Sequence, residues 1–220
     1  MLPTPHLKDV DYEKIYEPSE DSFYLLDCLE DQKSYLESKF KNHVPVVVEI
    51  GTGSGIITTF LLQCILQEAL YMATDVNPSA CTCVLKTASH NCPHRAHLVD
   101  SLQMSLASAV RPNTVDILVF NPPYVPAEEV PELSPDDTKD TQWLDLALLG
   151  GEDGMVTTWK VLNGLDSILS AGGVAYILFC ARNHPESVAQ QMQRRGWKVD
   201  VIIHKKAGWE VLSILRFLKA

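Results

Sequence analysis

Val46-Val47-Val48-Glu49-Ile50-Gly51-Thr52-Gly53-Ser54-Gly55 is the stretch that decides the fold of this 220-residue chain. Its first five residues, β-branched apart from one carboxylate, read as a strand buried on both faces. The glycines that follow let the backbone turn sharply and approach a ligand where a Cβ would collide. A helix from about Ile57 to Gln67 comes next, then a second strand, Leu70 to Thr74, ending at Asp75. Strand, glycine turn, helix and strand open a parallel sheet covered by helices, and such sheets bind ligands outside the carboxyl ends of their strands.

Outward from this unit the alternation continues. Asn77-Pro78 reads as a cap with proline in the first helical position, and the helix runs to about His90. Ala96 to Val99 reads as a short third strand and Val115 to Phe120 as a fourth. Upstream, Pro18 starts a helix with Glu20 and Asp21 in its first turn and Phe23, Tyr24 and Leu26 on its apolar face. A second polar helix lies near Gln32 to Lys41. Downstream come an irregular acidic stretch from Val125 to Asp140, a helix from Val156 to Ile168, and a strand from Val174 to Phe179. A helix from Pro185 to Arg194 and strands Lys198 to Ile203 and Val211 to Phe217 finish the chain, the last two as a hairpin or neighbouring pair. The pattern predicts one α/β domain over residues 1–220, Rossmann-like, with a seven-stranded, mostly parallel sheet and an antiparallel C-terminal strand. Residues 1 to about 17, proline-containing and without periodicity, read as an arm lying over that domain.

Composition narrows the partners. Net charge is −10, from 28 acidic and 18 basic side chains, whereas a nonspecific nucleic-acid binder draws its affinity from cations on phosphates. A protein or small-molecule partner is expected. The six cysteines read as reduced thiols filling the core, since a chain of this length needs no staples. Cys81, Cys83, Cys92, His90, His94 and His97 crowd together without a closed four-ligand spacing, so no metal is expected in this chain. Neither a secretory leader nor an apolar run of membrane-spanning length stands out. The cytoplasm is the expected compartment, with the nucleus as the second.

The candidate ligand residues cluster at strand ends. The amides at the helix start after Gly51, Thr52 and Gly53 suit an anion such as a carboxylate. Asp75 can accept from two ribose hydroxyls, and Val76 beside it offers an apolar surface to an adenine ring. Asp100, closing the third strand as read here, and Ser101-Leu102 after it can serve the adenine edge. Glu49, a carboxylate in a buried strand, needs partners in order to stay there. Glycine turns of this kind also occur in dinucleotide enzymes, but the final spacing of Gly-x-Gly-x-x-Gly is missing.

Asn121-Pro122-Pro123-Tyr124, straight after the fourth strand, sets the chemistry. Each proline holds the residue before it out of helical dihedrals, leaving a stiff extended segment lacking two N–H groups. The Asn121 side-chain oxygen and the Pro122 carbonyl can each accept one hydrogen of a planar NH₂ group, fixing its nitrogen beside the cofactor. Tyr124 can stack on a planar target or close the pocket.

Together these motifs closely resemble the class I methyltransferases that modify the glutamine of a translation release factor, most of all the eukaryotic and archaeal branch. The resemblance rests on Tyr16-Glu17-Pro18-Ser19-Glu20-Asp21-Ser22-Phe23, Asp75-Val76-Asn77-Pro78, Asn121-Pro122-Pro123-Tyr124-Val125-Pro126, Gly151-Glu152-Asp153-Gly154 and Gly208-Trp209-Glu210-Val211-Leu212, nearly the whole chain. It implies the class I fold and transfer of a methyl group from S-adenosylmethionine to the N5 of a glutamine in a Gly-Gly-Gln motif of the class 1 release factor. It implies further that Tyr16, Glu17 and Pro18 help enclose the cofactor, that Glu49, Gly51, Thr52, Gly53, Asp75, Val76, Asp100, Ser101, Leu102 and Asn121 bind it, and that Asn121, Pro122, Pro123 and Tyr124 hold the target, with Asn121, Pro122 and Tyr124 as the catalytic set. The extra N-terminal helical domain of bacterial relatives is absent from the pattern. A small zinc-binding activator subunit is implied instead, docked on the sheet edge near residues 96–99 by strand addition, and the zinc belongs to that partner. The release factor's GTPase partner can accompany the substrate. Adenine N6 and protein lysine remain alternative targets, and a catalytically silent scaffold is the non-enzymatic alternative.

Glu128, Glu129, Glu132, Asp136, Asp137 and Asp140 make the stretch beyond Tyr124 acidic. It reads either as a solvated loop or as a face for a basic surface of the protein substrate. In the second case, reversing three of these charges slows methylation and weakens its salt dependence in steady-state assays; unchanged kinetics would leave the solvated loop.

Overall fold

The computed structural model describes residues 2–131 and 142–219. Seven strands form the main sheet: β1 (Val46–Ile50), β2 (Leu70–Asp75), β3 (Val99–Gln103), β4 (Val115–Phe120), β7 (Leu169–Cys180), β8 (Trp197–Ala207) and β9 (Glu210–Lys219). Their spatial order is β3-β2-β1-β4-β7-β9-β8. β1 pairs in parallel with both β2 and β4, β4 pairs in parallel with β7, and β9 inserts antiparallel between β7 and β8. The strand order reverses between β1 and β4, so a crevice opens beyond their carboxyl ends, where open α/β sheets bind ligands. A separate two-stranded piece pairs β5 (Val125–Pro126) with β6 (Leu149–Gly151).

Period-2 alternation divides the core. Ile117 and Val119 of β4, with Val174, Tyr176 and Leu178 of β7, face helices α1 (Glu20–Asp31), α2 (Lys33–Lys39), α3 (Ile56–Phe60) and α4 (Pro78–Asn91). Leu118 and Phe120, with Ala175, Ile177 and Phe179, face α6 (Val156–Ile168) and α7 (Pro185–Arg194). Both faces of these strands are covered, which is why they read as nearly continuous apolar runs. The Leu2 amide donates to Glu30, and the His6 amide and carbonyl bond the two ends of the Asn91 side-chain amide.

Several boundaries differ from the sequence reading. Residues 96–98 form a 3₁₀ turn and β3 begins at Val99, where the strand was expected to end. The helix after the glycine turn changes to a π-helical turn over Leu61–Ile65, and Lys33 donates to the Cys64 carbonyl there. Phe23 is exposed, and α1 instead buries Leu25, Leu26, Cys28 and Leu29. A short helix, α5 (Gln142–Leu148), precedes β6 and was not anticipated. Glu132, Asp136, Asp137 and Asp140 lie outside the described residues, while Glu128 and Glu129 are solvent-facing. Among the described residues no helix is long and apolar enough to cross a membrane, and no three His, Cys, Asp or Glu side chains form a possible metal group.

Gly55 joins the glycine turn to the helical layer. Its φ is +77°, and a Cβ on it would stand 2.6 Å from the Val84 Cα of α4. Gly55→Ala therefore combines a left-handed backbone penalty with overpacking, and should lower unfolding free energy in urea by about 2–4 kcal/mol. A loss under ~1 kcal/mol would mean that α4 yields instead.

Candidate active site

A cavity of about 370 Å³ opens beyond the carboxyl ends of β1, β2 and β4. One end is built from the glycine turn. The Gly53 amide donates to Asp75 Oδ2 at 3.0 Å and the Asn77 amide to Asp75 Oδ1 at 2.9 Å. Each carboxylate oxygen thus has one backbone donor and keeps lone-pair capacity for a hydroxyl in the cavity. Burial raises the Asp75 pKa, and those backbone bonds oppose the rise. Apart from its chain neighbours, no atom of the described residues lies within 4 Å of where a Gly53 Cβ would stand, so the turn leaves space at that point.

Glu49 is buried beneath the turn. Its Oε2 accepts from the Thr52 hydroxyl at 3.0 Å, the Thr58 amide at 3.0 Å and the Thr58 hydroxyl. The carboxyl group therefore ties the glycine turn to α3. Asn77 has two tasks: its Oδ1 caps α4 by accepting from Ser79, and its Nδ2 donates to the Lys14 carbonyl at 2.7 Å. That second bond brings Lys14, Ile15 and Tyr16 of the arm over the cavity.

Of the residues expected at this end, Tyr16, Pro18, Glu49, Gly51, Thr52, Gly53, Asp75 and Val76 line the cavity. Asp100, Ser101 and Leu102 do not. β3 starts three residues later than expected, so Asp100 pairs with Met72 near the strand's beginning and is exposed. Met104, Ser105 and Leu106 occupy the corresponding place at the carboxyl end. They are pinned by the Met104 amide on the Asp75 carbonyl and by the Thr74 hydroxyl on the Leu106 carbonyl, at 2.9 and 2.8 Å. Glu17 is exposed and also off the cavity, because the arm turns it outward between Tyr16 and Pro18.

The other end is Asn121-Pro122-Pro123-Tyr124, all four lining the cavity. Asn121 Nδ2 donates to Asp21 Oδ2 at 3.0 Å. Its Oδ1 is buried and has no hydrogen-bond partner among the described residues, a state that favours a donor arriving from the cavity. Asp21 itself is held through Oδ1 by the Ser22 amide at 2.6 Å and the Tyr16 hydroxyl at 3.3 Å. A carboxylate only accepts, so it selects the amide orientation that turns Oδ1 toward the free space. Among the described residues no donor is matched to the Pro122 carbonyl. Burial and the Asp21 charge push the Tyr16 hydroxyl up to about 12 and raise Tyr124 further, so both stay protonated donors.

Behind this segment the backbone packing is close. A Cβ on Gly154, whose φ is +67°, would run into the Tyr124 carbonyl, and one on Gly150 into the Pro123 carbonyl. Asn183 donates to the Tyr124 and Asp153 carbonyls at 3.0 and 2.7 Å and accepts from the Cys180 amide at 2.8 Å. Asp21, Asn183 and Met104 to Leu106 escaped the sequence reading. Asp21 was visible as a first-turn acid within the Tyr16–Phe23 motif but without a role of its own, and nothing in the chain order links it to a residue 100 positions away.

Burial raises the Glu49 pKa from 4.5 to about 8 against the opposing threonine bonds. The folded value exceeds the unfolded one, so between these pH values the native state keeps a proton that the unfolded chain has released. This contribution to stability is complete below about pH 4.5 and is lost as pH rises through about 8. Urea unfolding at pH 5, 6.5 and 8 should show that decline, and Glu49→Gln, neutral throughout, should flatten it. Parallel profiles for the two proteins would exclude a neutral Glu49.

A nucleoside carrying a charged amino-acid tail fits these walls: amides and Asp75 at one end, Val76, Met104 and Leu106 as apolar cover, and an unmet acceptor at the other. Residues 24–133 match the family model "Methyltransferase small domain". The chain is 34% identical to "Methyltransferase HEMK2" of Mus musculus over 222 residues, covering 100% of this chain and 98% of that protein. It is 38% identical over 230 residues to "eRF1 methyltransferase catalytic subunit mtq2" of Schizosaccharomyces pombe, covering 100% and 96%. The fold matches the E. cuniculi Mtq2–Trm112 complex, responsible for methylating the eRF1 termination factor, with a TM-score of 0.66 at 24% identity, over 94% of this chain and 99% of that one. Identity at this level along their full lengths places the chain in the S-adenosylmethionine-dependent methyltransferase family to which HEMK2 and Mtq2 belong.

Proposed function

We propose that this enzyme methylates the side-chain N5 of a glutamine, that of the Gly-Gly-Gln motif in the class 1 translation release factor, and does so in the cytoplasm. The observation that carries this reading is the buried Oδ1 of Asn121, without a partner among the described residues, whose Nδ2 is held by Asp21. A primary amide presents two in-plane hydrogens, which Asn121 Oδ1 and the Pro122 carbonyl can divide between them. Amide nitrogen is a poor nucleophile because its lone pair is delocalised. Two acceptors draw electron density toward nitrogen as its bond to carbon forms and orient it in line with the donor, while one of its two protons is lost to solvent during or after the displacement.

S-adenosylmethionine, when bound, supplies an electrophilic methyl whose leaving group is a neutral thioether. The chain's residues then need to bind, orient and exclude water. Tyr16 and Tyr124, kept protonated, close the space around the target without offering a competing nucleophile. Mtq2 is named as a complex with Trm112, and a small activator subunit, zinc-binding in the reading above, fits the same arrangement here. β3 is the edge strand of the sheet, with a shallow depression beside it lined by Cys81, Leu85, Lys86 and Ser101. Strand addition then runs along Val99–Gln103 rather than residues 96–99. A GTPase bound to the release factor forms part of the substrate in this reading.

The deciding assay gives labelled S-adenosylmethionine to the enzyme with its activator subunit, with release factor, its GTPase complex, histone or DNA as acceptor. Mass spectrometry should find the label on the Gly-Gly-Gln glutamine; label on adenine with none on glutamine would overturn the proposal. Asn121→Ala should abolish turnover yet keep cofactor affinity. Asp21→Ala, which frees the Asn121 amide to rotate, should lower kcat about 10- to 100-fold with cofactor Kd unchanged. Loss of cofactor binding in both variants would instead assign them structural roles.

A further inference from the structure

α4 carries two walls of the cavity. Along its length it holds the glycine turn: the Ser54 carbonyl accepts from the Thr87 hydroxyl at 2.9 Å and from the Cys83 thiol at 3.6 Å. At its ends it holds the N-terminal arm, each time through an asparagine. Asn77, the N-cap, donates through Nδ2 to the Lys14 carbonyl at 2.7 Å. Asn91, the last residue of the helix, accepts from the His6 amide at 2.8 Å and donates to the His6 carbonyl at 2.9 Å. Its Nδ2 also donates to the Thr87 carbonyl at 2.9 Å, which fixes the side chain on its own helix. One planar amide thus meets both backbone groups of His6.

The arm between these two points has little slack. α4 has 14 residues, and the asparagines at its ends stand about 21 Å apart along its axis. The chain from His6 to Lys14 reaches roughly 29 Å when fully extended. A turn takes up part of that length, with the Lys14 and Ile15 amides bonded to the Asp11 carbonyl. Just beyond it, Ile15 is buried and lines the cavity. Tyr16 lines it as well and donates to Asp21 at 3.3 Å. Residues 8, 9 and 11–13 are exposed, so burial does little to hold this stretch and its ends decide where it lies.

We propose that Asn91, which lies off the cavity and touches no reacting atom, is a positioning residue for the cofactor. Its clasp on His6 keeps the arm short, and the short arm keeps Ile15 and Tyr16 at the cavity. Without the clasp the free segment lengthens, and the arm spends less time closed over bound S-adenosylmethionine. The role concerns retention of the cofactor and holds whichever nitrogen receives the methyl group.

The test uses the enzyme with its activator subunit and S-adenosylhomocysteine as the probe. Asn91→Ala should raise the calorimetric Kd about 3- to 10-fold, chiefly through faster release. KM for S-adenosylmethionine should rise in step, with kcat changing less. Asn91→Gln, which keeps both ends of the amide, should recover part of the affinity. Lys8 lies exposed between the two anchoring points. Trypsin should cut after it about 3- to 10-fold faster in Asn91→Ala than in wild type, and S-adenosylhomocysteine should slow the cut in both. An unchanged Kd in Asn91→Ala, even with a lower unfolding free energy, would overturn the proposal and leave Asn91 as an ordinary helix end. Cleavage after Lys8 that is indifferent to the ligand would also overturn it, because the arm would then not respond to the site.

Discussion

A side-chain amide has a donating end and an accepting end, and the chemistry at this site depends on which end of Asn121 faces the cavity. Asp21 makes that choice. Its carboxylate can only accept, so the Asn121 NH₂ turns to it and the oxygen is left toward the target. A hydrogen bond to a charged acceptor contributes about 1.5–3 kcal/mol, enough to hold one orientation over the other by roughly tenfold or more. The remainder of the cavity serves to place these two residues, 100 positions apart in the sequence, within bonding distance.

Both placements rest on backbone segments packed closely together or bridged by asparagine side chains. Asn121 follows β4 directly, and two prolines stiffen the chain beyond it. The carbonyls of Pro123 and Tyr124 then lie so close to Gly150 and Gly154 that side chains there would collide. Asn183 completes the clamp by joining the Tyr124 and Asp153 carbonyls to the end of β7. On the other side, Asn77 caps α4 and holds the Lys14 carbonyl, which anchors the arm two residues before Tyr16 and seven before Asp21. Polar side chains that bond two segments at once recur around the cavity, as expected where backbone polar groups are buried outside regular structure.

Glu49 belongs to the same scheme. It lies at the end of a buried strand, where an isolated carboxylate would be costly, and three donors from Thr52 and Thr58 converge on one of its oxygens. That convergence fixes the glycine turn against α3 while burial favours the neutral form of the acid.

The chain order by itself determined the strands that build the cavity floor. Val46–Ile50 and Val115–Phe120 are apolar on both faces and bounded by unambiguous breakers, so their limits follow from local chemistry. The Asn77 cap and the Asn121-Pro122-Pro123-Tyr124 segment were legible for the same reason: their constraints lie within a few residues. The third strand was not legible. Residues 96–103 mix apolar and polar side chains at a sheet edge, and pairing with β2 rather than propensity fixes where β3 begins, which removed Asp100, Ser101 and Leu102 from the cavity. Only the tertiary structure could bring Asp21 to Asn121 and Asn183 to Tyr124. Those meetings depend on strand order and helix placement, set by burial summed over the whole core, and no local pattern records them.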